Sequence, residues 1–377
     1  MASQSLAFDG LERSEVRDLA ANVIEVADSR PIIIGEERTA SRRPRLDPAS
    51  GRTYPITLSV WIADNDRYYL RFRVSASGED MAALAGRAAR VVGRFWAMAD
   101  KRQGRLNARL RAATLDVWLN RDGNGGGEQS RNSIYVYDVY GIPTGLEWER
   151  TLAHELGHYL LPGPSGYTEP ESWSNGLLGE RLFLGWLRDD LQSGALKPSD
   201  LIFASRDEIF DYCAKQTDAL VDRIRRRGPD RALLRATTRG GMDEATALLL
   251  YIPATHGPKA LQQLLFYLPA MRTAEPTAVE FLKAYELWAD RETEYSLTAL
   301  CSDPIMVYMP AGPGRLFSSP PSLQTIEVEG ATVKRLGEGS WLVHPATAGW
   351  RRIRLKCRGE ADDEVITLKV QRKVAPR

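Results

Sequence analysis

The sequence predicts an α+β fold in which strands and helices fall into separate blocks, and three observations carry that expectation. Runs rich in β-branched and aromatic residues at 56–63, 68–74, 114–119 and 133–140 accompany apolar residues at helical spacing over 81–98. A long middle stretch reads as successive helices separated by Gly and Pro signals. After residue 320 the pattern changes to short alternating runs divided by Gly and Asp turns, the spacing of a small β-sandwich or barrel.

Taken in order, residues 1–50 read as an arm: a short helix over 14–28, a strand at 31–35 (PIIIG) and a polar, Pro-containing connector. The runs 56–63 and 68–74 flank Asp-Asn-Asp-Arg, a hairpin signal, and the 81–98 pattern is an amphipathic helix for the resulting sheet. Between the strands 114–119 (TLDVWL) and 133–140 (SIYVYDVY) lies NRDGNGGGEQSRN. Asn120, Asp122, Asn124 and Gly125 match the opening of a calcium loop, but Arg131 stands where such a loop places a bidentate Glu, so a flexible hairpin connection is the expected role. Helices are expected over 206–227, 243–251, 259–271 and 277–295, with no fixed period that would make a repeat array. AGPGRLFSSPPS reads as a linker to the terminal β runs. The expected units are an N-terminal arm (1–50), a subdomain at 51–165, a helical subdomain at 166–310 and a β-sandwich-like domain at 320–377.

Composition narrows the functional classes. A chain of 377 residues with 43% hydrophobic and 26% charged residues can bury a large core and is not disordered at large. Its 50 basic residues balance 49 acidic ones, without the surplus that phosphate binding requires, so nucleic acid is not expected as the main partner. The run RIRRR at 223–227 is expected to form a solvated helix face. Cys213, Cys301 and Cys357 lie far apart without metal spacing; they argue against a disulfide framework and leave room for one bridge. No segment is apolar enough for a membrane span, and no basic-then-apolar leader opens the sequence. A cytoplasmic location is therefore the expectation, although a secreted chain read without its leader would look the same. Nothing in the sequence sets an oligomeric state.

The chemistry concentrates in residues 151–160, TLAHELGHYL. His154 and His158 are four apart, which on a helix places both imidazoles on one face, one turn apart, where they can share a metal ion. Glu155, beside the first ligand, can reach a water on that metal without ligating it. The chain holds only 4 His, and the flanking Leu152, Leu156, Gly157, Tyr159 and Leu160 are uncharged, as a buried ligand helix requires.

With its His-Glu-x-x-His motif the stretch resembles the zincin metallopeptidases. The resemblance implies a zincin-like lobe: a twisted mixed sheet packed on the motif helix, with a helical second lobe and the small all-β C-terminal domain following. It implies a Zn²⁺ cofactor and a peptide or protein substrate bound along an edge strand, for which SIYVYDVY is the candidate. It further implies hydrolysis by metal-activated water, with Glu155 as general base, and Tyr167, Tyr295, Tyr308 and His256 as candidate oxyanion donors.

Subfamilies differ in the third ligand. Leu161 and Pro164 occupy the metzincin positions, and Ser165 stands where a looser relative has an acid, with Tyr167 kept after it. The gluzincin pattern uses a Glu on the following helix. This selects Glu180, within the apolar segment NGLLGERLFLGWL, with Glu169 and Glu171 next in order. Met306, in a turn-like Asp-Pro-Ile-Met, resembles the metzincin Met-turn instead. The expected metal ligands are His154, His158 and Glu180. The alternative function is a catalytically inactive zincin-like scaffold that binds a peptide or protein.

Overall fold

The computed structural model describes residues 11–12, 22–24, 31–36, 44–64, 67–103, 114–268, 276–301, 303–312, 314–357 and 364–372. The fold is α+β with a β-rich C-terminal region. By compactness the chain divides into one unit of Met1–Pro162 with Asn175–Cys213 and another of Gly163–Ser174 with Ala214–Arg377.

In the first unit the strands are β1 (Leu11–Glu12), β2 (Asn22–Ile24), β3 (Ile32–Glu36), β4 (Arg45–Leu46), β5 (Thr53–Tyr54), β6 (Ile56–Asp64), β7 (Arg67–Ala76), β8 (Leu115–Leu119), β9 (Gly127–Ser130) and β10 (Ser133–Val136). The main sheet runs β2-β3-β6-β7-β8-β10-β9, with β1 also paired to β7. β6 and β7 form the expected antiparallel hairpin, whereas β7–β8 and β8–β10 are parallel. A parallel step needs a crossover, and helix α1 (Ala82–Arg102) supplies one between β7 and β8. Its buried face, including Ala85, Ala88, Val92 and Phe95, joins a core with Ile32, Phe72 and Val74; Trp96 stacks on Phe72 at 5.9 Å.

Three expectations are corrected here. Residues 22–24 form a strand, where the sequence suggested helix; the rest of 14–28 lies outside the described residues. Residues 32–36 are built into the main sheet through β6 and are not part of a detached arm. SIYVYDVY is not the edge. β10 is flanked by β8 on one side and β9 on the other, and the edge strand is β9, drawn from the Gly-rich connection. Gly125 and Gly126 take φ of 78° and 81°, which turns the chain back so that Gly127–Ser130 runs antiparallel to β10. Two of the calcium-loop side chains are already engaged: Asn120 Oδ1 accepts from Tyr54 and Arg52, and Asp122 pairs with Arg52.

In the second unit a π-helical stretch, Cys213–Asp218, begins in the last residue of the first unit and leads into α-helix Ala219–Arg227. Helices Arg239–His256, Ala260–Leu265 and Ala278–Arg291 follow. The RIRRR run is only partly a solvated face, because Arg223 and Arg227 both pair with the fully buried Glu244. The β-rich region starts earlier than expected. Glu294–Leu300 and Ile305–Met309 already pair with Val365–Arg372 and Gly349–Cys357, in a five-stranded and a three-stranded sheet respectively. The expected linker contains a strand, Arg315–Ser318, whose buried Arg315 donates to the carbonyls of Ala289, Asp290 and Glu292 at the end of helix Ala278–Arg291. Cys301 and Cys357 form a disulfide with Cα atoms 6.0 Å apart. Closing a loop of 56 residues, it contributes about 4 kcal/mol in the chain-entropy account. Among the described residues no helix is long and apolar enough to cross a membrane.

Candidate metal centre

Helix α2 (Gly145–Leu160) starts at Thr144, whose extended backbone and hydroxyl, accepting the Glu147 N–H at 3.1 Å, form an ordinary N-cap. Helical spacing then puts Arg150, Ala153, His154, Gly157 and His158 on one stripe. Another stripe, Trp148, Leu152, Leu156 and Tyr159, is buried, with Trp148 stacked on Phe203 and Tyr159 tilted against Trp96.

The functional stripe is crossed by helix α3 (Asn175–Ser193) at a pair of glycines. A Cβ on Gly157 would lie 2.5 Å from the Asn175 carbonyl oxygen and 2.8 Å from Gly179 Cα; one on Gly179 would lie 2.5 Å from Gly157 Cα. The two backbones touch, a distance only glycine permits. The crossing carries Asn175, Gly176 and Glu180 up to the histidines.

Each imidazole is held from behind. His158 Nδ1 is 2.7 Å from Asn175 Oδ1, and Asn175 Nδ2 donates to the carbonyls of His158 and Leu161 at 3.2 Å each. Those donations fix the amide's orientation, so His158 Nδ1 must carry the proton. His154 Nδ1 lies 3.5 Å from Glu180 Oε2, an acceptor, which assigns its proton in the same way. Glu180 Oε1 accepts from Arg150 Nε at 2.7 Å and from the Tyr212 hydroxyl at 2.5 Å. Burial alone would raise the Glu180 carboxyl, but His154, Arg150, Tyr212 and Arg181 outweigh it and hold it at about 2. Burial, then the Glu180 charge, pushes the Tyr212 phenol up, so it stays a donor.

With the Nδ1 atoms turned to those acceptors, the two Nε2 atoms face each other and converge to 3.2 Å. Two nitrogens bound tetrahedrally to one ion at about 2.05 Å would be about 3.3 Å apart, so the spacing suits a shared metal. Lone pairs meeting in this way repel unless a cation or proton lies between them. Gly176 keeps the space before them clear: a Cβ there would fall 2.4 Å from His158 Nε2 and 2.5 Å from His154 Nε2. Glu155 is 5% exposed, and its carboxylate presses on the edge strand, where a Cβ on Gly127 would come within 2.6 Å of Oε1.

No protein-family model matches the chain, and no curated protein matches it.

The geometry assigns the expected residues different places. Glu180, expected as the third ligand, faces Nδ1 of His154, on the ring edge away from the converging nitrogens, and its other oxygen is claimed by Arg150 and Tyr212. Met306 lies in a strand and not in a turn. His256, a candidate oxyanion donor, is buried; its Nδ1 donates to the Ser296 carbonyl and its Nε2 accepts from Tyr285. Tyr295 packs against the same ring. The Tyr167 hydroxyl is buried with no hydrogen-bond partner among the described residues. Asn175, Gly176, Gly127, Arg150 and Tyr212 were not singled out from sequence. The small-residue spacing of Gly157 in the motif and Gly176 and Gly179 beyond it was the available signal.

Proposed function

We propose that the chain is a zinc-dependent peptidase, with His154 and His158 as metal ligands and Glu155 as general base. The carrying observation is the convergence of the two Nε2 atoms to 3.2 Å, each ring held from its Nδ1 side. Two imidazole nitrogens on one helical turn are donors that suit zinc, with positions left for an oxygen ligand and a water.

When bound, the zinc would polarise the substrate carbonyl and acidify the water beside it. The chain's own residues do the rest. Glu155 takes the proton from the attacking water and returns it to the nitrogen of the leaving amine. Gly127, lacking a side chain, lets that carboxylate lie directly on the edge strand. Among the described residues no strand pairs with the outer edge of β9, so an extended peptide can add to it through main-chain hydrogen bonds beside the base. Substrate selection would then rest on the backbone first and on side-chain pockets second.

The test is metal analysis of the wild type beside His158→Ala, with a casein digest on each. Stoichiometric zinc in the wild type and its loss in the variant are expected; a wild type that takes up no zinc sinks the reading. Glu155→Gln is expected to keep the metal and lose hydrolysis by about 10²–10⁴-fold.

A further inference from the structure

Behind His154 lies a hydrogen-bonded group that hydrolysis itself does not use. Glu180 is buried on α3, one residue beyond the glycine crossing, and its carboxylate has two jobs. Oε1 accepts from Arg150 Nε at 2.7 Å and from the Tyr212 hydroxyl at 2.5 Å. Oε2 is left to face His154 Nδ1. Arg150 is in turn braced: its Nη1 reaches Glu147 Oε1 at 2.5 Å, and its guanidinium lies 5.3 Å from the centre of the Tyr212 ring. Tyr212 ends the helix Arg206–Tyr212, whose start is fixed by a capping box between Ser205 and Glu208. The carboxylate is therefore held by residues from two other helices. His158 has a different backing, a neutral amide whose own donors are spent on backbone carbonyls.

We propose that Arg150 and Tyr212 are positioning residues that act through Glu180. By occupying Oε1 they keep that carboxylate out of the metal's ligand shell, and they aim Oε2 at Nδ1 of His154. The consequence is a single tautomer, Nδ1–H, with the Nε2 lone pair directed at the metal. This inference rests on the metal reading above, but the tautomer can be read without metal.

The full-length protein, stripped of metal, is examined by long-range ¹H–¹⁵N correlation of its imidazoles. With only 4 His in the chain, His154→Gln assigns the signal. The wild type is expected to show His154 as the Nδ1–H form. Tyr212→Phe, which removes one hydroxyl, and Glu180→Gln are expected to show a tautomer mixture. In competition with a chromophoric chelator, zinc affinity should fall about 10–100-fold for Glu180→Gln, and to a smaller extent for Tyr212→Phe. The cobalt-substituted visible spectrum should keep its wild-type band positions in both, because the ligand set is unchanged. A wild-type tautomer and wild-type affinity in Tyr212→Phe overturn the role of Tyr212. A changed cobalt spectrum in Glu180→Gln makes Glu180 a ligand and overturns the proposal while sparing the metal site. A wild type that binds neither ion takes down the metal reading and this inference together.

Discussion

A methyl group at position 176 would sit within 2.5 Å of both converging nitrogens, closer than carbon can approach them. Alanine is nonetheless the better helix former by about 1 kcal/mol. Gly176→Ala should therefore keep the fold while zinc affinity falls by at least about 100-fold, measured by chelator competition; unchanged affinity would mean that the ion does not sit before Nε2. At this scale the sequence carries the reacting residues openly, because His154, Glu155 and His158 interact across one helical turn. It conceals Asn175 and the true neighbour of Glu180. Their positions follow from where α3 crosses α2, and a carboxylate that reaches Nδ1 looks, in sequence, the same as one that reaches a metal.

At the scale of elements the decisive contact is that crossing. Gly179→Ala would drive a Cβ to 2.5 Å from Gly157 Cα, and backbone cannot swing aside as a side chain can. We expect a loss of about 1–3 kcal/mol. Gly185, on the same helix, has nothing within 4 Å of its would-be Cβ, so Gly185→Ala should gain up to about 1 kcal/mol. Urea denaturation of the two variants should shift the midpoint in opposite directions, and a shared direction would refute backbone contact as the cause. The strands show where patterning stops short. β6, β7 and β8 are rich in β-branched and aromatic residues and could be read directly. β9 is Gly-Glu-Gln-Ser, with no β-branched residue, and Arg315–Ser318 sits among Gly, Ser and Pro; both owe their strand geometry to the neighbours they pair with.

For the whole molecule, the block order of sheet, helices and terminal β region was readable because each block has its own period. The grouping of segments was not. Residues 163–174 cluster with much later ones because Ser165 N–H reaches the Pro276 carbonyl and Thr168 N–H reaches that of Thr237, pairings without any local signature. Within the second unit, His256 makes stability pH-dependent. Burial, only partly offset by the Ser296 carbonyl, lowers its pKa from 6.5 to about 4. The folded value lies below the unfolded one, so the neutral ring's contribution is complete above pH 6.5 and is lost as pH falls through about 4, on the order of 3 kcal/mol in all. Denaturation of wild type and His256→Gln at pH 7 and pH 4 should show a flatter pH dependence in the variant; parallel slopes would remove His256 as the source.

The touching glycines have a consequence for how the centre is loaded. Small zinc domains fold around their ion, so binding and folding are one event. Here main-chain contact already sets the donor spacing, and capture of the ion requires no new secondary structure. Chelation should leave the far-ultraviolet circular dichroism unchanged and lower only the denaturation midpoint, by the mass-action term alone. Loading should then run at the pace of water exchange on the incoming ion, independent of the rate at which the chain refolds.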